Sequence, residues 1–151
     1  MRRMSDSIGF LIGDVSRLLR RRFDERARLI GVTRPQWRAL TNLTRQEGLQ
    51  QNALAELLEV EPITLCRMVD RMEEAGLIER RRDPGDRRAW NLYLTDKARP
   101  LLDQLRVIAD EVLSTTLTGI SPDEVDALAA TLARIRSNLT VDSVPSEATH
   151  G

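Results

Sequence analysis

The stretch that most limits how this chain can fold is residues 61–95, where a helical pattern is followed at once by a hairpin pattern. At helical spacing the first half carries one apolar stripe, formed by Leu65, Met68, Val69 and Met72. Pro62 suits the first turn of a helix and Gly76 suits its end, because proline lacks an N–H and glycine tolerates a left-handed backbone. The spacing therefore predicts a helix with one packed face and one presented face.

The second half of the stretch predicts two antiparallel strands joined by a tight turn. Its later strand alternates apolar residues with others at the period of a half-buried strand, at Trp90, Leu92 and Leu94. Pro84 and Gly85 are typical turn residues. Five arginines flank the turn: Arg80, Arg81, Arg82, Arg87 and Arg88. Such a charge run alone would also suit a solvated face, but directly after a presented helix it indicates the wing of a DNA-binding domain.

The rest of the chain predicts five more helices, over about residues 6–29, 34–45, 51–58, 96–117 and 122–139. Thr33 with Gln36 and Ser121 with Glu124 fit capping boxes at two of their starts, and Thr95 can cap another. A three-residue turn at 59–61 joins two short helices, as in a helix-turn-helix, although the glycine often found there is absent. The predicted fold is mainly α with a small β wing: a winged helix-turn-helix of four helices, a two-stranded wing and two further helices.

We expect residues 1–151 to form a single domain. Its winged core would cover about 33–95, its dimerisation helices about 6–30 and 96–139, and a disordered tail about 141–151. The first and last two helices each carry an apolar stripe that a compact winged core cannot cover, so they should pack together and against a second copy. A symmetric homodimer presents two recognition helices, which predicts a pseudo-palindromic operator in double-stranded DNA.

Composition narrows the function classes. The formal net charge is zero, but residues 1–45 carry +7, residues 46–94 carry −3 and residues 95–151 carry −4. No apolar run approaches membrane length, so we expect a cytoplasmic protein. Cys66 is the only cysteine and His150, in the predicted tail, the only histidine. With no evident nucleophile, base or metal cluster, we expect neither an enzyme nor a cofactor.

Four short motifs carry a family resemblance. They are Leu54-Ala55 through Val60, Arg67-x-Val69-Asp70, Gly76-Leu77-Ile78, and Asp86-Arg87-Arg88-Ala89 through Leu94-Thr95. With the order of elements, they make the chain similar to the MarR family of bacterial transcription regulators, and within it to the SlyA-like branch. The resemblance covers about residues 7–139. It implies a homodimeric, usually repressing, DNA-binding protein, often released from its operator by a small aromatic or phenolic acid.

The resemblance also implies which residues touch DNA. The positions that face the major groove or its flanking phosphates are Pro62, Ile63, Thr64, Arg67 and Arg71, although relatives usually place the proline one position later. Arg67 is the best candidate for a guanine or firm phosphate contact. Arg87 matches the wing arginine that enters the minor groove, while Arg88 would pair with Asp86 or Asp70 to hold the wing against the helix. Gln51 and Arg34, near helix starts, are further candidates for phosphate contacts.

An effector site is a second expectation. Arg17 and Arg20 lie one turn apart on the first helix, and Trp37 and Thr41 on the second would lie near them. Two guanidiniums can hold a carboxylate while an indole stacks on a ring, and these positions match the effector pocket of the SlyA-like branch. Alternatively, the arginines are surface charges or dimer contacts and Trp37 belongs to the core. Cys66 is either structural or a redox switch.

A different function class also fits the predicted fold. A winged-helix interaction or architectural DNA-binding protein would need no small-molecule effector, and it would bind operator and random DNA equally well.

Overall fold

The computed structural model describes residues 4–141 of the chain. The predicted tail lies outside the described residues apart from Val141, and so does His150. Within residues 4–141, six helices and three strands follow one another in this order: α1 (Met4–Leu29), α2 (Arg34–Arg45), β1 (Leu49–Gln50), α3 (Gln51–Leu58), α4 (Pro62–Glu74), β2 (Ile78–Arg82), β3 (Trp90–Leu94), α5 (Ala98–Thr116) and α6 (Pro122–Val141). The predicted winged helix-turn-helix is therefore confirmed.

Local signals explain most of the helix boundaries. The Thr33 side chain accepts from the Gln36 backbone, and the Gln36 side chain accepts from the Thr33 N–H, which completes the predicted capping box of α2. Gly76, with a φ of 76°, ends α4. The prediction that Thr95 caps α5 is wrong, because its hydroxyl donates to the Gly76 carbonyl and so ties the end of β3 to the end of α4.

The turn of the helix-turn-helix has no glycine, and Glu59 takes the position that glycine usually fills. Glu59 has a φ of 54° and lies in the left-handed region, where its N–H donates to the Glu56 carbonyl. A side chain is disfavoured in this conformation, and glycine adopts it without that cost. The turn thus keeps its geometry at a small cost in stability.

The sheet has three antiparallel strands in the order β1-β3-β2. Ile78 lies opposite Leu94 and Arg82 opposite Trp90, as the predicted hairpin requires. The sequence did not indicate β1, which pairs Leu49 with Leu92, because two residues are too short to show an alternating pattern.

The core of residues 4–113 lies under the helix-turn-helix. Its largest fully buried side chains come from α2, α3, α4 and the sheet: Leu40, Leu43, Leu54, Leu65, Val69, Met72, Ile78 and Leu92. The predicted packed face of α4 is confirmed, with Met68 half-buried at its edge. One inward prediction on α3 is wrong, since Leu57 is exposed while Leu54 and Leu58 are buried. The core thus holds one face of α4 and leaves the other outside.

The chain divides into two compact units, at residues 113 and 114. In the first unit, the amino-terminal half of α1 exposes an apolar set: Ile8, Phe10, Leu11, Ile12, Val15 and Leu18. In the second unit, α6 has no buried residue, and its predicted inward residues Leu128, Leu132 and Leu139 are exposed. None of the helices between residues 4 and 141 has the length and hydrophobicity of a membrane-spanning segment.

Candidate functional site

The exposed face of α4 carries the predicted recognition residues. Pro62 occupies the first turn, and Ile63, Thr64, Arg67 and Arg71 are all exposed. The spacing of four residues from Ile63 to Arg67 to Arg71 places them along one line of the helix. Within the described part of the chain, neither Arg67 nor Arg71 is engaged in an ion pair. These two guanidiniums are available to a partner outside the chain.

The wing is held by its turn. One oxygen of Asp83 accepts the N–H groups of Gly85 at 2.8 Å and Asp86 at 3.2 Å, and the other accepts the Gln50 side-chain amide at 3.1 Å. The Gly85 hydrogen bond and then that of Gln50 lower the pKa of Asp83, because they favour the charged carboxylate. Gly85 does not adopt a positive φ, so the proline and the Asp83 carboxylate shape the turn.

The wing arginines have different environments. The Arg81 guanidinium lies 4.1 Å from the centre of the Tyr93 ring, and that of Arg82 lies 4.0 Å from the Trp90 ring. Arg82 also donates to the Arg87 carbonyl at 2.6 Å. Arg87 and Arg88 are exposed next to the turn. Cation–π stacking thus stiffens the two strands of the wing, and the side chains of Arg87 and Arg88 stay exposed.

Arg88 was predicted to pair with Asp86 or with Asp70, and among the described residues its guanidinium forms an ion pair with neither. Asp70 pairs with Arg80 at 2.7 Å, and Arg88 joins Asp86 through its backbone N–H at 3.0 Å. Arg80 was expected among the arginines around the turn, but its side chain extends from β2 to α4 and is mostly buried there. The charge run gave no sign of this, because the acids that bind Arg80 lie seven or more residues away along the chain.

Two candidate phosphate contacts are partly occupied. The side-chain oxygen of Gln51 accepts from Arg80 Nε at 3.0 Å, which leaves its amide N–H groups for other contacts. Arg34 pairs with Asp24, whose hydrogen bond raises the pKa of Arg34.

Cys66 is half-buried, with its Sγ 3.8 Å from Arg80 Nη2.

A cavity of about 960 Å³ lies between α1, α2 and α5, within residues 4–113. Three of the predicted effector residues line it: Arg20, Trp37 and Thr41. Arg17 is not among the lining residues, and its guanidinium lies 3.4 Å from Asp14. The structure therefore brings together three of the four residues that were predicted to bind an effector.

The walls of this cavity are mainly apolar. Trp37 packs edge-to-face on Phe23, with ring centroids 4.6 Å apart, and its indole N–H donates to Asp24 at 2.7 Å. Three further arginines, which the sequence did not indicate, also line the cavity: Arg45, Arg99 and Arg106. Arg99 and Arg106 share one face of α5, but no local signal connects that helix with α1 and α2. An apolar cavity with several cationic groups suits an amphipathic anion.

The described residues form no cluster of side chains that could bind a metal ion. No three histidine, cysteine or acidic side chains among them lie close enough together to hold an ion.

A helix-turn-helix with one presented face, followed by a hairpin with outward arginines, defines the winged-helix class of DNA-binding proteins. The sequence profile of the MarR family matches residues 32–90. The transcriptional regulator PA3341 is 35% identical, with a TM-score of 0.73; the match covers 88% of this chain and 98% of that one. This chain therefore belongs to the MarR family and is a DNA-binding transcription regulator.

Two further solved structures are similar to this chain. The transcriptional regulator SlyA is 28% identical with a TM-score of 0.71, over 89% of this chain and 95% of its own. A MarR family protein from Bacillus stearothermophilus has a TM-score of 0.81 at 23% identity, over 93% of this chain and 99% of its own, and supports the fold. Since PA3341 is more similar in sequence than SlyA, membership of the SlyA-like branch stays a prediction. Regulators of this family bind DNA and typically act as dimers.

Proposed function

We propose that this chain is a homodimeric repressor that binds a pseudo-palindromic operator and is released from it by a small aromatic or phenolic acid. The observation that carries the proposal is the outward face of α4 beside a wing whose Arg87 and Arg88 side chains are exposed. Each subunit would insert α4 into the major groove and its wing into the adjacent minor groove.

The DNA contacts follow from the exposed groups. Arg67 can donate two hydrogen bonds to guanine, and Arg71, one turn further along, reaches a flanking phosphate. Ile63 offers an apolar contact to a thymine methyl group, and Pro62 and Thr64 approach the groove beside it.

In the wing, Arg87 enters the minor groove, where a narrow A·T tract attracts a guanidinium, while Arg88 reaches the DNA backbone. The remaining amide N–H groups of Gln51 can bind a phosphate.

Dimerisation would bury the apolar faces left open in each unit. Phe10 on α1 is 76% exposed, and on α6 the apolar positions recur every three or four residues. Large exposed apolar faces of this kind are rare on monomers and mark contacts with another chain. We assign both faces to a second copy, because a symmetric operator requires two recognition helices with one fixed spacing. Both units then serve one functional domain.

The cavity between α1, α2 and α5 would hold the effector. Arg20 supplies a cation for the carboxylate, Trp37 a ring surface for stacking, and Thr41 a hydroxyl. Arg17 lies one turn earlier on α1 and would need to leave Asp14 to take part. An acid that binds better to the dimer spacing unsuited to DNA would shift the population away from the operator.

DNA binding is tested with a 30-base-pair duplex, selected by the purified protein from random sequences, and with a scrambled duplex of the same composition. Arg67→Ala combined with Arg87→Ala should weaken binding to the selected duplex and lower the salt slope by about 0.9 for each phosphate that the protein then leaves unneutralised. Unchanged affinity in this double variant would refute these contacts. Equal affinity of wild type for both duplexes would favour an architectural protein.

The effector is tested by thermal shift and by release from the selected duplex, with salicylate, benzoate and 4-hydroxybenzoate as probes. Arg20→Met should weaken the response, because it removes the cation that we assign to the carboxylate. Arg21→Met is the matched control, since Arg21 is the next residue, pairs with Glu25 and does not line the cavity. A flat response of the wild type to all three acids would count against the proposed site.

A further inference from the structure

Arg80 differs from the other wing arginines in where its charge lies. Its side chain is only 12% exposed, whereas Arg81, on the same strand, has a side chain that is 55% exposed. Each nitrogen of its guanidinium faces an acceptor on a neighbouring helix. Nε donates to Gln51 at 3.0 Å, Nη1 lies 2.7 Å from Asp70 and 3.3 Å from Glu73, and Nη2 donates to the Cys66 carbonyl at 3.1 Å.

These bonds join three elements through one residue. Gln51 opens α3, the other three acceptors lie on α4, and Arg80 itself is at the centre of β2. The Arg80 backbone N–H adds a bond to the second oxygen of Glu73 at 3.0 Å. A planar guanidinium can hold several acceptors in fixed directions, which the ammonium of a lysine cannot do.

The acceptors on α4 define the side of the recognition helix that faces the wing. Cys66, Asp70 and Glu73 are spaced by four and then three residues and so lie along one line of the helix. The proposed DNA contacts of α4 lie along a neighbouring line. The direction of the wing relative to that line is therefore fixed at Arg80. From there β2 runs only two residues further to the turn that carries Arg87.

We infer that Arg80 is a positioning residue for DNA binding, which sets the wing at a fixed angle to α4 so that both enter neighbouring grooves of one duplex together. It also offsets the charges of Asp70 and Glu73, which would otherwise repel phosphate. The inference rests on the proposed contacts of the wing with DNA. It assigns no DNA contact to Arg80 itself.

The first test is a double-mutant cycle on the selected duplex. Arg80→Met should weaken binding about tenfold when Arg87 is present, and by less than about twofold in an Arg87→Ala background, because the wing then has little left to position. Arg134→Met, an exposed arginine of α6, is the control for the loss of one positive charge. Equal losses in both backgrounds, or a loss no larger than that of Arg134→Met, would overturn the inference.

A second variant separates geometry from charge. Arg80→Lys keeps the positive charge next to Asp70 and Glu73 but lacks the planar fork, so it should still show a wing-dependent loss of several-fold. It also decides the question if Arg80→Met does not fold. Full wild-type affinity of Arg80→Lys would show that charge alone matters and would refute the positioning role.

A readout without DNA keeps this inference separate from the proposed contacts. The chain has two tryptophans, and their indole N–H signals in a nitrogen-proton correlation spectrum are assigned with Trp90→Phe. Arg80→Lys should shift the signal of Trp90, in the wing, and leave that of Trp37 unchanged. If Arg87→Ala alone has no effect on affinity, the proposed wing contact fails. The Trp90 signal then decides, and an unshifted signal overturns the role of Arg80.

Discussion

Asp24 links the candidate cavity to the start of α2, and its substitution has a calculable effect. Its side chain is 12% exposed; one oxygen accepts the Trp37 indole N–H at 2.7 Å and the other pairs with Arg34. Asp24→Asn preserves the shape, and its single amide oxygen can still accept from Trp37. It replaces the other oxygen with an NH₂ group that faces a guanidinium, and it removes the charge from both bonds.

The expected loss is the sum of two effects. Replacing a charge-assisted hydrogen bond by a neutral one at a mostly buried site costs about 1 kcal/mol. Loss of the ion pair adds roughly 0.5–1 kcal/mol, because the half-exposed Arg34 can turn into solvent. The free energy of unfolding should therefore fall by about 2 kcal/mol.

Urea unfolding followed by circular dichroism measures this change, at one protein concentration because a dimer's stability depends on it. Asp14→Asn is the matched control: Asp14 also pairs with an arginine, but its side chain is 61% exposed, so its loss should be under about 0.5 kcal/mol. If Asp24→Asn lies within that same range with an unchanged m-value, Asp24 does not hold Trp37 as the contacts indicate.

Three more substitutions test single residues of the winged core. Met72→Ala should lower the free energy of unfolding by about 2–5 kcal/mol in the same urea assay, because the Met72 side chain is buried on the packed face of α4. A loss below about 1 kcal/mol would contradict that packing. Glu59→Gly should stabilise the chain by about 0.5–1 kcal/mol, because glycine adopts the left-handed backbone at this position without strain. Glu61→Gly is the control and should not stabilise the chain, because φ is −63° at that position. Equal stability of the two variants would contradict backbone strain at Glu59. The Asp83 carboxylate should stabilise the wing turn fully above the ordinary pKa of aspartate, and this stabilisation should be lost as pH falls through the lower pKa that Asp83 has in the folded protein. The NMR signal of the Gly85 amide measures the change. Asp83→Asn should abolish the pH dependence.

In the proposed DNA interface, the placement of the charged side chains matters more than their total charge. Residues 61–95 contain seven arginines and seven acids and are neutral overall. Arg80 occupies Asp70 and Glu73, and Asp83 and Asp86 are bound to the backbone of the turn. The acids near the wing are thus engaged internally, while Arg67, Arg71 and Arg87 point outward. A neutral segment can therefore present a cationic surface to DNA.

Local patterns determined the helices, the wing and the family of this protein. The stripe of α4, its proline start and its glycine end, and the Asp83-Pro84-Gly85-Asp86 turn are short-range features, so the sequence by itself sufficed for them. The same periodicity separated Leu65, Val69 and Met72 from the outward residues Ile63, Arg67 and Arg71. Helical spacing fixes which side chains share a face, whatever covers that face.

The tertiary structure decided which distant residues meet. Arg80, not Arg88, binds Asp70, because β2 passes beside α4 while Arg88 lies beyond the turn. The cavity includes Arg99 and Arg106, since α5 returns to α1 and α2 from far along the chain. Spacing along a chain carries no information about such returns, because the direction in which one element packs on another depends on the whole core.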